Sequence, residues 1–342
     1  MRIYICGGSN SMSKSGWSAP FMQQVTQTDV RNVSIGGTSS MMGAWRVGFF
    51  ENLAADDTLI WEYALNDMNY IDFKQHDEDL LLKFVEYTIL TCQKHGVRFV
   101  PLILTSMRRE KQVAQGRYQT ALKALFTHYG LEPIDISQLF RAHLGVKTLP
   151  VEHYAEPAHY SAESPIIPFI AQKVIAAIPQ AQVPAKAARV YVAAGKELSF
   201  IKSIRRGTKR KFTNHFVSVQ TTVMGETGLT LAPFTAAGTV VALLHISTPS
   251  AGAARIKIGQ ETYHLSLTYK EPVFNKPLLK CMSLEMACED PVRFEAGDVM
   301  RIHRSPRKTG LLHDYGYRKV TTHIEKIDPE LMFVGFLCEV DV

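Results

Sequence analysis

Residues 2–17 read RIYICGGSNSMSKSGW, and this stretch decides the fold of the first half of the chain. RIYIC is a short, β-rich, apolar run of the kind that forms a buried strand. It passes straight into two glycines and a serine, so the backbone can turn sharply and leave Ser9 at the end of a strand. Working outward, further runs of the same type follow at RNVSI, DTLIWEYAL and VRFVPLIL, with LEPIDI as a fifth. Between the third and fourth, DEDLLLKFVEYTILTCQKHG has helical apolar spacing and stops at Gly96; QVAQGRYQTALKALFTHYG repeats the pattern and stops at Gly130. Strands alternating with crossover helices predict a parallel sheet covered by helices over residues 1–178.

Residues 179–188, PQAQVPAKAA, are rich in Pro and Ala and not periodic, and read as a linker. From residue 189 to 342 the pattern changes to β runs separated by Gly, Pro and Asn: ARVYVAA (188–194, starting at the linker's last residue), HFVSVQTTVM, GLTLAPF, GTVVALLHIS, ARIKIG, ETYHLSLTY, DVMRIHR and LMFVGFLCEVDV. These predict an all-β sandwich or jelly roll, a possible carbohydrate-binding or oligomerisation module.

Composition narrows the class. Hydrophobic residues make up 46% and charged residues 20% of the 342 residues, the mix of a folded globular protein. Apolar runs stay short of the ~20 residues that span a bilayer, and the N-terminus lacks the pattern of a secretory signal, so a cytoplasmic location is expected. The five cysteines (Cys6, Cys92, Cys281, Cys288 and Cys338) are scattered without a C-x-x-C pair, and are read as buried thiols rather than disulfides or zinc ligands. Of the tryptophans, Trp61 is expected in the core, while Trp17 and Trp45 fit packing or ligand stacking equally.

Four pieces carry chemistry. Open α/β sheets bind ligands at the carboxyl edge of their strands, which makes Ser9 a candidate nucleophile. The loop is neither a G-x-S-x-G elbow nor a phosphate-binding P-loop. The second strand runs into SIGGTSS and the third into ALND, which bring the Gly37 backbone N–H and the Asn66 amide to the same edge. Acyl transfer needs such donors for the charge that develops on the carbonyl oxygen. In YAEPAHYSAES, Glu156 and His159 lie three apart, a spacing that lets a carboxylate orient an imidazole acting as general base. His153 is the competing histidine.

These pieces, in this order, resemble the SGNH hydrolases, also called the GDSL family, named for a Ser, Gly, Asn and His drawn from four sequence blocks. The matching residues are Ser9, Gly37, Asn66 and His159. Gly8 stands where the family has Asp, Ala64 where it has the Gly of G-x-N-D, and Glu156 where it has the Asp of D-x-x-H. The resemblance covers residues 1–178. It implies a three-layer α/β/α domain with a five-stranded parallel sheet and a metal-free, cofactor-free hydrolase. Its oxyanion hole would be built from the Ser9 and Gly37 N–H groups and the Asn66 amide.

The expected activity is a serine-dependent esterase acting on an acyl, in the first place acetyl, ester of a carbohydrate. A sugar O-acetyltransferase of polysaccharide biosynthesis uses the same acyl-enzyme, and a non-catalytic carbohydrate-binding or assembly protein is the third alternative. The segment KSIRRGTKRK, residues 202–211, holds Lys202, Arg205, Arg206, Lys209, Arg210 and Lys211, a possible anion-binding loop for an anionic polysaccharide or lipid surface. Only Phe212 offers a stacking ring there, which argues against nucleic acid.

Overall fold

Every residue of the strand Arg2–Gly7 beyond Arg2 is buried, as a strand covered on both faces requires. In the computed structural model, which describes residues 1–72, 77–111, 116–202, 204–248, 251–268, 277–288, 290–307, 311 and 330–342, this strand is β1 of a parallel sheet. With β2 (Asp29–Asn32), β3 (Thr58–Glu62), β4 (Arg98–Ile103) and β5 (Ile134–Asp135) it forms five strands in the order β2-β1-β3-β4-β5. All four pairings are parallel. The order reverses between β1 and β3, and ligands of such sheets bind at the carboxyl ends of the strands flanking a reversal.

Helices cover both faces. Ile3 and Ile5 of β1 face a core that Trp17, Phe21, Ile136, Phe140, Ile166 and Ile170 complete. These come from α2 (Ser18–Gln24) with its preceding residue, α8 (Ile136–Leu144) and α9 (Ile166–Ala177), α1 being the single turn Ser9–Met12. On the opposite face lie α3 (Ser40–Trp45), α5 (Glu78–His95) and α7 (Arg117–His128), with Phe126 against both Trp61 and Phe99 at centroid distances of 5.6 and 5.9 Å. The two expected crossover helices are α5 and α7. The first is stopped by Gly96 at φ 67°, a left-handed cap that glycine adopts without steric cost. Of the second expected helix, residues 112–115 lie outside the described residues. Two short elements, α4 (Ala64–Asp72) and α6 (Met107–Glu110), follow β3 and β4, and the hairpin β6 (Tyr154–Glu156) and β7 (His159–Tyr160) precedes α9.

The fifth strand is only two residues long; Asp135 turns the chain by capping α8, accepting from the Gln138 N–H at 3.0 Å. All three tryptophans are core residues, at most 1% exposed, which decides the matter for Trp17 and Trp45. Four of the cysteines are buried thiols and Cys288 is half-buried.

The chain divides into two compact units, Met1–Ala193 and Ala194–Val342, so the first extends beyond the expected residue 178. Residues 179–188 are not a free linker. The Phe99 N–H donates to Gln182 O at 2.9 Å, the Ala185 N–H to Tyr129 O at 2.8 Å, and Gln93 to Ala185 O at 2.6 Å. ARVYVAA is not a strand either. The N–H groups of Val190, Tyr191 and Val192 all donate to the buried Glu86 carboxylate, at 2.7, 2.7 and 2.5 Å. A buried carboxylate that must be hydrogen-bonded outcompetes the β propensity of three residues.

The second unit is antiparallel β. Its strands are β8 (Lys196–Ile201), β9 (Ile204–Arg205), β10 (Thr208–Thr213), β11 (Ser218–Val223), β12 (Leu229–Leu231), β13 (Gly238–Ser247), β14 (Ala253–Ile258), β15 (Glu261–Ser266), β16 (Leu278–Ser283), β17 (Val292–Phe294), β18 (Arg301–Arg304) and β19 (Met332–Asp341). One sheet runs β10-β11-β19-β13-β16, with β8 also on β19 and β17 also on β13; the other runs β15-β14-β18-β12-β9. Leu243, Met282, Phe333 and Phe336 of the first sheet and Leu231, Ile256, Leu265 and Ile302 of the second share one core, which makes the unit a sandwich. Tyr269, the last residue of one expected strand, lies outside the described residues.

Candidate active site

Ser9 is the first residue of α1, separated from β1 only by Gly8. First-turn N–H groups have no acceptor within their own helix, and the Ser9 N–H is one of these. The loop is tightly built beneath. The Gly8 N–H donates to the main-chain oxygen of Glu62 at 3.1 Å and to its Oε2 at 3.2 Å. The Ser11 hydroxyl donates to the same Oε2 at 2.7 Å and accepts from the Trp17 indole at 3.0 Å. The space a side chain at residue 8 would need is taken: a Cβ there would stand 2.0 Å from Asn66 Oδ1. Gly8 in place of an acid is therefore matched to the position of Asn66.

The Gly36-Gly37 turn follows β2. Gly37 has φ 63°, and a Cβ on it would meet nothing within 4 Å, so the backbone conformation rather than space selects glycine. The Gly36 N–H donates to Met12 Sδ at 3.3 Å. Helix α4 grips the turn from the other side. Asn66, in its first turn, donates from Nδ2 to Thr38 O at 2.8 Å, and Tyr70, one turn later, donates to Gly37 O at 2.9 Å. The Thr38 carbonyl thus fixes the Asn66 amide. Two buried acids lie behind: burial pushes the Glu62 carboxyl up to about 8 and that of Asp67 up to about 7, although Asp67 accepts from Tyr118 and the Ser40 N–H.

Glu156 and His159 face each other across the β6–β7 hairpin. His159 Nδ1 is hydrogen-bonded to Glu156 Oε1, and His159 Nε2 lies 2.5 Å from Ser9 Oγ. The structure thus brings Ser9, His159 and Glu156 into one hydrogen-bonded chain at the carboxyl edge of the sheet, and places Gly37 on the turn after β2 and Asn66 in the first turn of α4 at the same edge. Glu156 is more than half exposed and His159 about a third. The competitor His153 is engaged elsewhere, its Nδ1 2.8 Å from Ser164 Oγ and its ring edge-on to Phe140.

Several residues that hold this arrangement carry no sequence signal of their own. Asn10 donates to Ala158 O at 2.8 Å and accepts from the Tyr160 N–H at 3.2 Å, tying the nucleophile turn to the histidine hairpin across 150 residues of sequence. Tyr154 and Tyr160 stack at 4.9 Å, and both hydroxyls donate to Thr105 O, anchoring the hairpin to the end of β4. Asn10 is one residue from Ser9 and the tyrosines flank the Glu–His pair, which is the one clue that proximity offered.

The expected anion-binding loop is not a loop. Arg205 ends β9, Arg206 and Gly207 form a left-handed turn at φ 64° and 86°, and Lys209, Arg210 and Lys211 lie on the sheet-edge strand β10. Lys209 donates to Thr222 Oγ1 at 2.7 Å and Ile204 O at 3.3 Å, and Arg210 pairs with Glu330. Lys202, Arg205, Arg206 and Lys211 are exposed.

No protein-family model and no curated protein matches the sequence. Among solved structures, the whole chain is similar to a two-domain esterase active on acetylated mannans, at 13% identity, over 100% of this chain and 92% of that one, with a TM-score of 0.61. The likeness is one of fold, over all of this chain. The first half is similar to an acetyl xylan esterase, at 15% identity over 52% of this chain and 99% of that one, TM-score 0.43. A lipolytic G-D-S-L protein from Veillonella parvula is similar over 52% of this chain and 98% of its own, at 13% identity and TM-score 0.40.

Proposed function

We propose that the protein is a serine esterase that removes acetyl groups from an acetylated polysaccharide. The observation that carries this reading is the unbroken contact from Ser9 Oγ through the His159 ring to the Glu156 carboxylate. In the proposed reaction Ser9 Oγ attacks the ester carbonyl while His159 Nε2 takes the hydroxyl proton. Glu156 keeps the ring in the Nδ1–H tautomer and stabilises the imidazolium. The Ser9 and Gly37 N–H groups and the Asn66 amide receive the negative charge on the carbonyl oxygen. The intermediate collapses as His159 gives its proton to the departing sugar oxygen. Water, deprotonated by the same ring, then attacks the acetyl-enzyme and releases acetate and free Ser9.

Two further points support the finer assignment. Glu156 and His159 are open to water, which favours hydrolysis over transfer to a second sugar, since a transferase must keep water from its acyl-enzyme. The fold shared along the whole chain with an esterase active on acetylated mannans makes acetylated mannan the first polysaccharide to test.

The decisive measurement is acetate release from acetylated mannan and from p-nitrophenyl acetate by the wild type, Ser9→Ala and His159→Ala. We expect each variant to lose roughly 10³-fold or more in kcat, with labelling by a fluorophosphonate probe abolished in Ser9→Ala. A wild type that neither turns over nor labels would leave a carbohydrate-binding protein as the better reading. Labelling that survives Ser9→Ala would move the nucleophile elsewhere.

A further inference from the structure

Below the nucleophile turn lies an acid that the proposed reaction does not use. Glu62 ends β3, its side chain is fully buried, and among the described residues its Oε1 has no hydrogen-bond partner. Everything it holds is therefore on Oε2: the Gly8 N–H at 3.2 Å and the Ser11 hydroxyl at 2.7 Å. These two residues flank Ser9. Ser11 is in turn held by the Trp17 indole, so the chain Trp17–Ser11–Glu62–Gly8 closes beneath the turn. The fit is close enough that a Cβ on Gly7 would stand 2.7 Å from both Glu62 O and Oε2.

We propose that Glu62 is a positioning residue for the nucleophile: by accepting from Gly8 and Ser11 through a single oxygen, it fixes the turn from which the Ser9 hydroxyl reaches His159. The inference rests on the esterase reading and deepens it. What Glu62 supplies is one carbonyl-like acceptor, not a charge. Burial favours the protonated acid at neutral pH, and the hydrogen bonds that Oε2 accepts come from a backbone N–H and a hydroxyl rather than from a cation. A neutral carboxyl and a carboxamide are alike here in offering one carbonyl oxygen to Gly8 and Ser11, and each carries donor hydrogen on its second atom, one on the acid and two on the amide. Glutamine should therefore replace Glu62 and an apolar side chain of the same length should not. The neighbouring Asp67 holds different partners, Ser40 and Tyr118, and does not share this role.

The test compares wild type, Glu62→Gln, Glu62→Met and Ser11→Ala in p-nitrophenyl acetate hydrolysis and in the rate of fluorophosphonate labelling, with Ser9→Ala as the blank. A nucleophile displaced by a fraction of an ångström loses rate without losing substrate affinity. Glu62→Met is expected to lose about 10- to 100-fold in kcat and in labelling rate, with KM within about twofold of wild type. Glu62→Gln should stay within about threefold of wild type, and Ser11→Ala should fall between the two. If Glu62→Met does not fold, as judged by its circular dichroism, Ser11→Ala and Glu62→Gln decide the matter alone. Wild-type kcat and labelling rate in Ser11→Ala, or a Glu62→Gln as impaired as Glu62→Met, overturns the inference. Failure of the wild type to label at Ser9 overturns the esterase reading itself. Labelling at Ser9 that Glu62→Met leaves unchanged overturns only the role of Glu62.

Discussion

The two sides of the candidate site are built to different standards. On the nucleophile side, Ser9, Gly37 and Asn66 follow the carboxyl ends of β1, β2 and β3. They are held by buried partners, Glu62, Ser11 and Trp17 under the turn and Thr38 behind the amide, and by the half-buried Tyr70 on the glycine turn. On the acid–base side, Glu156 and His159 stand on a two-stranded hairpin, and the carboxylate is more than half exposed. The difference matches what each side would do in the proposed reaction. Stabilising charge on an oxyanion depends steeply on donor placement and rewards rigidity. Orienting an imidazole needs one acceptor at hydrogen-bond distance, and a longer carboxylate on an open hairpin reaches it. This is why a glutamate can stand where the resembling family has aspartate, while Gly8 has no room to vary without moving Asn66.

The contrast can be broken most directly from the rigid side. Asn66→Ala is expected to reduce kcat on p-nitrophenyl acetate about 10²- to 10³-fold with little change in KM, the loss expected for one oxyanion donor. A loss under threefold would remove Asn66 from the oxyanion hole.

On the open side the expected effect is smaller. A half-exposed carboxylate is screened by water, so Glu156→Ala should cost about 10-fold in kcat and Glu156→Asp less, provided the shorter side chain still reaches Nδ1. If Glu156→Ala matched His159→Ala in severity, the hairpin would be as stringent as the sheet edge and the comparison would fail.

The smallest effect concerns stability. Glu62 and Asp67, with ordinary values of 4.5 and 3.8, are raised to about 8 and about 7 in the folded protein. Between those limits the folded state binds protons that the unfolded chain has released. Stability contributed by these groups is therefore full below about 4, falls as pH rises, and levels off above about 8. Melting curves from pH 5 to 8 should show a falling Tm in the wild type and a shallower fall in Glu62→Gln. Parallel slopes would mean that Glu62 is ionised in the folded protein.

Much of this was legible in the sequence for a physical reason: strands that end at one edge of a parallel sheet put the residues that follow them together. RIYIC before Gly-Gly-Ser, RNVSI before Gly-Gly-Thr and LIWEY before Ala-Leu-Asn-Asp are local patterns, and the topology does the rest. The failures share a cause as well. ARVYVAA has the composition of a strand, yet its N–H groups go to Glu86, 104 to 106 residues away in sequence. Residues 179–188 have the composition of a linker, yet they bond to α5, β4 and the end of α7. Local propensity is worth tenths of a kilocalorie per mole per residue, and a buried acid seeking donors outweighs it.

The sequence by itself determined the parallel sheet, the all-β second half and the identity of Ser9, Gly37, Asn66, Glu156 and His159 as candidates, because hydrophobic period and strand-end chemistry are written locally. Only the tertiary structure decided that His159 rather than His153 meets Ser9, and that Asn10 ties the nucleophile turn to the histidine hairpin. It alone put Glu62 beneath the turn and moved the domain boundary to Ala193. Each of these is a hydrogen bond or contact between residues far apart in sequence, and which distant donor meets which acceptor is settled when the core closes and buried polar groups must find partners.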